Sequence, residues 1–297
     1  MKTVRRILKR IIHDRWEIGF VEGGLDAVMG QGPLRVNWLK HGFTDRWFAD
    51  PFILEVTDDV IRVLVEEFDY RSRKGRISLL TVARSSYELR SKRTVLDLKT
   101  HLSFPAIWRE NGKVFIYPES SASGALCLYE LKGDGCDPES KTLLCQETMV
   151  DAIMTDRFGK RQLFSIKTYD KLRVYHFDEQ KGQFVLSFEK PFSRATTRNA
   201  GDFFEYHGEV YRPAQVCDDH YGEAIEIQKV VCDGDENFCF IPFKTLYSNH
   251  KLLNYGMHTL NSLGDLAVVD VYGWNNALVV KSIKALKKIC ACHHSIQ

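Results

Sequence analysis

The chain has 297 residues, of which 44% are hydrophobic and 27% are charged, with 41 Lys and Arg against 39 Asp and Glu. This composition is typical of a folded globular protein and excludes a disordered, collagen-like or coiled-coil chain. The formal net charge of +2 excludes a generally basic nucleic-acid-binding protein.

The first sixteen residues are strongly basic. They carry six Lys and Arg against Asp14 alone, a net charge of +5, which leaves about −3 for the remainder. Apolar side chains recur there with the period of one helix face, at Val4, Ile7, Leu8, Ile11 and Ile12. Residues 1–30 are therefore predicted to be a basic amphipathic segment. Either it packs on the protein with its basic side in solvent, or residues 1–15 contact an anionic membrane peripherally.

A pattern of short apolar segments separated by turns recurs about every 50 residues between positions 31 and 284. The segments are rich in Val, Ile, Phe and Tyr, which is typical of strands. Four short strands per repeat predict an all-β fold, a five-bladed β-propeller with short helices at the termini, in preference to a two-sheet sandwich. The predicted blades lie near residues 49–98, 104–146, 150–188, 201–243 and 258–283, with 34–39 closing the fifth and 285–297 forming a tail.

No apolar run reaches the ~18–20 residues of a membrane span. The basic start also lacks the apolar core of a signal peptide, so a cytoplasmic location is expected. In that compartment the eight cysteines are expected to be reduced thiols. The cluster formed by Cys290, Cys292, His293 and His294 is too compact for an established zinc pattern, so no metal or other cofactor is expected.

The predicted propeller brings ionisable residues together at one end of its central channel. Inner strands start, and second strands end, at that same end. The inner-strand starts contribute Asp50, Ser103, Asp151, Asp202 and His258. The second-strand ends contribute Glu66 or Glu67, Glu119, Lys167, Arg212, Gln215 and Asp270. Such a concentration in all five units predicts a functional site.

The segment RWFADPFI (46–53) resembles the first-blade motif of five-bladed glycosidases of glycoside hydrolase family 43. The resemblance implies that Asp50 is the general base of an inverting hydrolysis. It also implies that Asp151, in VDAIM (150–154), tunes the acid and orients the sugar. The Glu of that family's fourth-blade Glu-Gly acid is absent, because Ala200 stands in its place.

A closer resemblance extends over nearly the whole chain. The segments HLSFPAIWRENGKVFIYPES (101–120), EYHGEVYRPAQ (205–215) and GMHTLNSLGDLAVVD (256–270) are similar to the N-terminal-type domain of glucosamine inositolphosphorylceramide transferases. Bacterial relatives of that domain are associated with envelope polysaccharide synthesis, which implies a carbohydrate substrate.

The missing Glu bears on the kind of reaction. A hydrolase that loses its general acid loses roughly 10²–10⁴-fold in rate, and Ala200 has no proton to give. A phosphate leaving group instead needs positive charge. The cations expected near the site are His101, Lys167, Arg198, Arg212 and His258.

We therefore predict a glycosyltransferase in which Asp50 deprotonates an acceptor hydroxyl. The donor would be a nucleotide sugar, and the acceptor a glycan or a lipid-linked sugar in envelope polysaccharide synthesis. The alternatives are an inverting glycosidase with Glu119 or Asp202 as the acid, and a non-catalytic sugar-binding propeller. Asp50, Asp151 and Glu119 are the predicted catalytic residues. The predicted substrate-binding residues are His101, Ser103, Lys167, Arg198, Asp202, Arg212, Gln215, His258 and Asp270.

Overall fold

The computed structural model describes residues 13–132, 137–233 and 237–274, and it confirms the predicted five-bladed β-propeller. Between β1 and β2 lies one short helix, α1 (Gly24–Met29), and a 3-10 turn spans Ser121–Ser123. The described strands are β1 Asp14–Glu22, β2 Asn37–Trp38, β3 Arg46–Val56, β4 Val60–Asp69, β5 Lys74–Ala83, β6 Leu89–Leu96, β7 Ile107–Glu110, β8 Lys113–Ile116, β9 Leu126–Lys132, β10 Asp137–Cys145, β11 Val150–Thr155, β12 Gln162–Thr168, β13 Lys171–Asp178, β14 Gln183–Pro191, β15 Phe204–Tyr206, β16 Glu209–Val216, β17 Ala224–Asp233, β18 Asn237–Leu246, β19 Leu260–Leu263 and β20 Leu266–Trp274.

Four of the blades are built from consecutive strands. The sheets β3 to β6, β7 to β10, β11 to β14 and β15 to β18 each pair antiparallel in chain order, from the innermost strand to the outermost. Each sheet buries apolar side chains against its neighbours on both faces, so the core consists of clusters between adjacent blades. Because sheets pack through such faces, the ring is held together mainly by burial of apolar surface.

The fifth blade closes differently from the prediction. Its strand order is β19-β20-β1-β2, so β1 provides the third strand of a blade that was predicted to take its first three strands from 258–283. Residues 14–22, assigned above to the basic N-terminal segment, therefore belong to the propeller. The outer strand β2 falls within the predicted 34–39. Positions 277–283, like 1–12 and the tail 285–297, lie outside the described residues.

Strand β1 is held along its whole length. It pairs with β20 residue for residue, from Asp14 opposite Trp274 to Glu22 opposite Leu266. Ile18 and Phe20 are fully buried and pack in the apolar cluster between the fifth and first blades. The ring is thus closed by an N-terminal strand that joins the two ends of the described chain.

The inner strands of the first three blades begin with a backbone irregularity. Asp50, Phe104 and Asp151 occupy equivalent positions and all have left-handed backbone, with φ of 49°, 46° and 46°. In β3 and β11 the strand register also shifts at this point, as in a β-bulge. A bulge re-aims the side chain that it carries, and left-handed backbone in a non-glycine residue is strained unless its surroundings hold it.

Among the described residues, no helix is long and apolar enough to cross a membrane. In this part of the chain Cys127, Cys145, Cys217 and Cys239 are free thiols.

Closure by β1 predicts that its buried face stabilises the whole ring. Phe20→Ala should lower the free energy of unfolding by about 3–5 kcal/mol, because it opens a cavity in a fully buried site. Phe243→Ala, at a side chain that is 50% exposed, should lower the free energy of unfolding by much less. Urea unfolding followed by circular dichroism measures both values. Equal losses for the two variants would contradict the assigned closure.

Candidate functional site

A cavity of about 360 Å³ lies at the end of the channel where the inner strands begin. Its volume is in the range of small-molecule sites. Carboxylates line it from several blades, namely Asp14, Asp50, Glu66, Glu119 and Asp151. The cationic or titratable nitrogen groups in its wall are His101, Arg198 and His258. Ser103 also lines it.

Asp50 is the most constrained of these carboxylates. It is 5% exposed, and its backbone N–H donates to Asp270 Oδ2 at 2.9 Å. Its Oδ2 accepts the backbone N–H of Phe104 at 2.9 Å, and its Oδ1 accepts the hydroxyl of Thr259 at 3.1 Å. Burial raises the pKa of Asp50 to about 8, helped by nearby carboxylates and opposed by His258. A carboxyl group with a pKa near neutrality can accept and release a proton.

His258 and Asp270 form a buried ion pair beside Asp50. The ring Nδ1 of His258 lies 2.8 Å from Asp270 Oδ1, and its Nε2 lies 3.4 Å from Asp50 Oδ1. Asp270 also accepts the backbone N–H of Thr259 at 2.9 Å. Burial alone would lower the pKa of His258, but the charges of Asp270 and Asp50 outweigh it and raise that pKa to about 9.

Asp151 is held by three partners from neighbouring segments. Arg198 Nε donates to its Oδ2 at 2.5 Å and Gln215 Nε2 donates to the same oxygen at 3.0 Å. Its backbone N–H donates to Glu119 Oε2 at 3.0 Å. The backbone amide of Asp151 therefore binds the carboxylate of Glu119, and a fixed cation, Arg198, lies against the carboxylate of Asp151.

Glu119 faces the cavity from the loop after β8. Its backbone pairs with Ser103 in an isolated bridge, and Ser121 Oγ donates to its Oε1 at 2.7 Å. Burial raises the pKa of Glu119 to about 7, and the negative charge of Asp151 adds to the effect. Glu119 can therefore carry a proton at neutral pH, as a general acid must.

His101 is paired with Glu66. Its Nδ1 accepts the backbone N–H of Gly75 at 2.9 Å, so the proton lies on Nε2, which is 3.1 Å from Glu66 Oε1. The contact with the Glu66 carboxylate raises the pKa of His101.

Aromatic side chains form much of the remaining wall, and none of them is among the site residues predicted from the sequence. Trp16 stacks on Tyr272 with ring centroids 4.3 Å apart, and Trp47 stacks on Phe68 at 4.7 Å. Tyr221 packs edge-on against His258. Such flat faces suit the apolar face of a sugar ring. Trp47 could have been predicted to line the site from its place next to the Ala-Asp-Pro motif. Trp16 could not, because its strand β1 was not predicted.

Several predicted binding residues do not line the cavity. Lys167 and Asp202 are exposed outside its lining. Gln215 and Asp270 are buried behind the wall and act through Asp151, His258 and Asp50.

Arg212, predicted to bind substrate, is also buried behind the cavity and fully inaccessible. Its Nε donates to Asn199 Oδ1 at 2.7 Å, and its other nitrogens reach the carbonyls of Thr196 and Thr197 and the side chain of Gln228. It thus fixes the segment that carries Arg198. Arg212 thus lies at the predicted position along its strand, but its side chain is not part of the cavity lining.

The segment 198–202 supplies a cation to the cavity. Ala200 is fully buried in the apolar cluster between the fourth and fifth blades. Arg198 is the residue of this segment that lines the cavity. Gly201 next to it leaves no room for a side chain, since a Cβ there would lie 1.9 Å from the carbonyl oxygen of Leu260.

Within the described part of the chain, one group of side chains has metal-ligand donors close together: Asp50, His258 and Asp270, within 4.8 Å of one another. The carboxylates of this group already accept backbone N–H groups and the Thr259 hydroxyl, and His258 is paired with Asp270. These contacts satisfy the polar groups without a cation.

Comparisons with known proteins identify a family and a shared fold. Residues 36–255 match the family described as "Glucosamine inositolphosphorylceramide transferase 1, N-terminal". The chain is 25% identical over 205 residues to glucosamine inositolphosphorylceramide transferase 1 of Arabidopsis thaliana and 22% identical over 200 residues to that of Oryza sativa subsp. japonica. These matches cover 65% and 64% of this chain, but only 27% of either relative, so the chain spans about a quarter of their length.

Among solved structures, the fold is similar to glycoside hydrolases of family 43. A β-xylosidase/α-arabinofuranosidase from a compost microbial metagenome, in complex with xylotriose, superposes with a TM-score of 0.54 at 13% identity, covering 78% of this chain and 92% of that one. An enzyme of this family from Xanthomonas citri gives a TM-score of 0.53 at 12% identity, covering 78% and 88%. At such identities the likeness establishes the shared propeller fold.

The His258 ion pair predicts a pH-dependent stability. The folded protein keeps the His258 proton up to pH about 9, whereas an unfolded histidine loses it near 6.5. The contribution of the protonated His258 to the free energy of unfolding is therefore full below pH about 6.5 and is lost as pH rises through 9. The free-energy difference between wild type and His258→Gln should shrink by about 3 kcal/mol between pH 6 and 9.5. Chemical unfolding at several pH values measures it, and parallel curves for the two proteins would contradict the assignment.

Proposed function

The chain belongs to the glucosamine inositolphosphorylceramide transferase 1 N-terminal family, and from that premise we propose that it is a carbohydrate-active enzyme that transfers a sugar to a hydroxyl group bound in the central cavity. The activated donor would be a sugar with a phosphate leaving group, and the acceptor a glycan or a lipid-linked sugar. The observation that carries the proposal is Asp50, a buried carboxyl group with a pKa near 8 in an aromatic-walled cavity.

The proposed reaction assigns Asp50 the role of base. As the acceptor oxygen forms its bond to the anomeric carbon, its proton passes to the Asp50 carboxylate, and the bond from that carbon to the phosphate oxygen breaks. The phosphate leaves as a stable anion and needs no proton. Thr259 and the Phe104 amide hold the Asp50 oxygens in place, so little reorganisation is required.

The charge of the cavity bears on which part of the donor it would hold. Arg198 is paired with Asp151 and His258 with Asp270, and His101, which accepts the Gly75 N–H at Nδ1, is the neutral partner of Glu66. Since every cation in the wall is matched by a carboxylate, the cavity has no excess positive charge for a diphosphate. The cavity is therefore suited to the sugar, and the phosphates of the donor would lie outside it.

A second candidate function is hydrolysis of a glycoside. Glu119 favours it, because its pKa of about 7 lets it donate a proton to a departing sugar oxygen in the same cavity. Water would then replace the acceptor hydroxyl, with Asp50 again as the base. The fold shared with family 43 hydrolases is consistent with this reading.

The two functions differ in their products. The purified chain is incubated with nucleotide sugars plus glycan acceptors, and separately with oligosaccharides or aryl glycosides, and products are identified by mass spectrometry. Transfer predicts an extended acceptor that forms only with an activated donor. Free sugar released from glycosides without any nucleotide would support hydrolysis instead. Sugar binding without turnover on either panel, unchanged in Asp50→Asn, would favour a non-catalytic propeller.

The role of Asp50 predicts a specific loss. Asp50→Asn keeps an acceptor for the Phe104 amide but removes the base, and the rate should fall by roughly 10²–10⁴-fold. Asp58→Asn makes the same change at an exposed residue in the turn between β3 and β4 and should keep full activity. Melting temperatures show whether both variants are folded. Full activity of folded Asp50→Asn would refute the assignment.

A further inference from the structure

One carboxylate of the cavity wall, that of Glu66, has no part in the reaction proposed above. Glu66 lies on β4, opposite Ala49 of β3, and it lines the cavity although only 6% of the residue is exposed. Its Oε1 is buried and accepts no hydrogen bond from the described residues. A buried carboxylate oxygen without a donor costs free energy, so such groups are uncommon. At the wall of a cavity, a carboxylate in this state points to a ligand that donates hydrogen bonds.

The imidazole of His101 lies in contact with this carboxylate. Its Nε2 is 3.1 Å from Glu66 Oε1, but the N–H does not point at the oxygen well enough to form a hydrogen bond. Nε2 carries the proton of the neutral ring, because Nδ1 accepts the N–H of Gly75. The side chain of His101 is 47% exposed and lines the cavity. A donor and an acceptor therefore stand side by side in the wall.

The space for this pair depends on Gly75, the second residue of β5. A Cβ there would lie 2.6 Å from Glu66 Oε1, 2.7 Å from His101 Cε1 and 2.5 Å from the carbonyl oxygen of Leu102. The backbone of Gly75 also holds this loop, because its N–H donates to His101 Nδ1 and its carbonyl accepts the amide of Leu102. Glu66 and His101 are thus fixed in place before a ligand binds, which lowers the entropic cost of binding.

Aromatic rings lie next to the pair on the first blade. Phe68 is two residues from Glu66 on β4, so the two side chains are on the same face of the sheet. Trp47 stacks on Phe68, and both rings line the cavity. A sugar ring held against these rings by its apolar face has its hydroxyl groups at its edge. Those hydroxyl groups can reach Glu66 and His101.

The pair is also close to the proposed base. Burial is the main cause that raises the pKa of Asp50, His258 opposes it, and among the carboxylates Glu66 adds most to the rise. The effect of one charge on another falls with distance, so Glu66 is a near neighbour of Asp50. A sugar held by Glu66 is therefore beside the group that would take the proton.

We propose that Glu66 and His101 determine the specificity of the cavity by binding two neighbouring hydroxyl groups of the sugar. One hydroxyl donates to the Glu66 carboxylate, and the oxygen of the next accepts the Nε2–H of His101. The 3.1 Å between Glu66 Oε1 and His101 Nε2 is close to the separation of hydroxyl oxygens on adjacent ring carbons, so the two hydrogen bonds form side by side.

Other ligand groups fit this pair less well. An anion is disfavoured, because carboxylates outnumber cations in the wall. An ammonium group would suit Glu66, but it has no acceptor for the N–H of His101. A hydroxyl group both donates and accepts. The inference rests on the carbohydrate substrate proposed above, but not on whether that sugar is transferred or hydrolysed.

The first test compares sugar binding by two variants of the full chain. Methyl pyranosides of glucose, galactose, mannose and xylose are titrated by nuclear magnetic resonance, and the tightest binder is kept as the parent sugar. Glu66→Gln keeps the shape of the side chain but removes its charge, and it should weaken binding of the parent roughly tenfold or more. Glu55→Gln makes the same change at an exposed side chain near the far end of β3 and should have less than a twofold effect. Melting temperatures show whether both variants are folded.

Monodeoxy analogues of the parent sugar test the contact itself. The analogue that lacks the hydroxyl bound by Glu66 should bind wild type and Glu66→Gln equally within twofold. With analogues that lack a distant hydroxyl, the loss caused by Glu66→Gln should remain. The same loss with every analogue would show a purely structural role and overturn the proposal. Equal binding of the parent by wild type and Glu66→Gln, or no binding of any of the sugars, would also overturn it.

An amino analogue and turnover complete the test. Tighter binding of the analogue in which an ammonium replaces the hydroxyl at Glu66 would overturn the assignment to a hydroxyl pair. Binding with the expected dependence on Glu66, but without transfer or hydrolysis, would refute the proposed reaction and support the recognition. Turnover with the same KM in wild type and Glu66→Gln would support the reaction and overturn the recognition.

Discussion

The geometry of the channel end depends on hydrogen bonds between side-chain oxygens and the strained backbone at the starts of the inner strands. Asp270 accepts the amide of Asp50, Asp50 accepts the amide of Phe104, and Glu119 accepts the amide of Asp151. Each bond joins one blade to the next and holds a left-handed residue that would otherwise relax. The same carboxylates line or support the cavity, so the interactions that fix the ring also fix the candidate site.

This dual role explains the electrostatics of the site. Carboxylates needed as backbone acceptors are crowded at the channel end, and burial with mutual repulsion raises the pKa of Asp50 and of Glu119. Arg198 and His258 compensate by pairing with Asp151 and Asp270. Carboxylates still outnumber cations in the wall, which disfavours an anionic group in the cavity and suits a largely uncharged sugar ring.

The blades could be predicted because each strand shows its apolar pattern locally. The positions of Asp50, Glu119 and Asp151 at one end of the channel could be predicted because inner strands start, and second strands end, at the same end of any propeller. It did not predict β1, since pairing of Asp14 with Trp274 is a contact across nearly the whole chain and the basic residues nearby suggested a helix. Arg212 lies behind the wall for a local reason: the position of a residue along a strand can be inferred from sequence, but the direction of its side chain here could not. The aromatic wall was missed because Trp16 and Tyr272 meet only after the ring closes.

The central claim is that Asp50 is a buried carboxyl group poised to exchange a proton near neutral pH. The most direct test is a titration of the Asp50 side-chain carboxyl carbon by ¹³C nuclear magnetic resonance, assigned by the signal lost in Asp50→Asn. A pKa for Asp50 near 8 is the predicted result. Titration of that carbon near the ordinary aspartate value of about 4 would contradict the account.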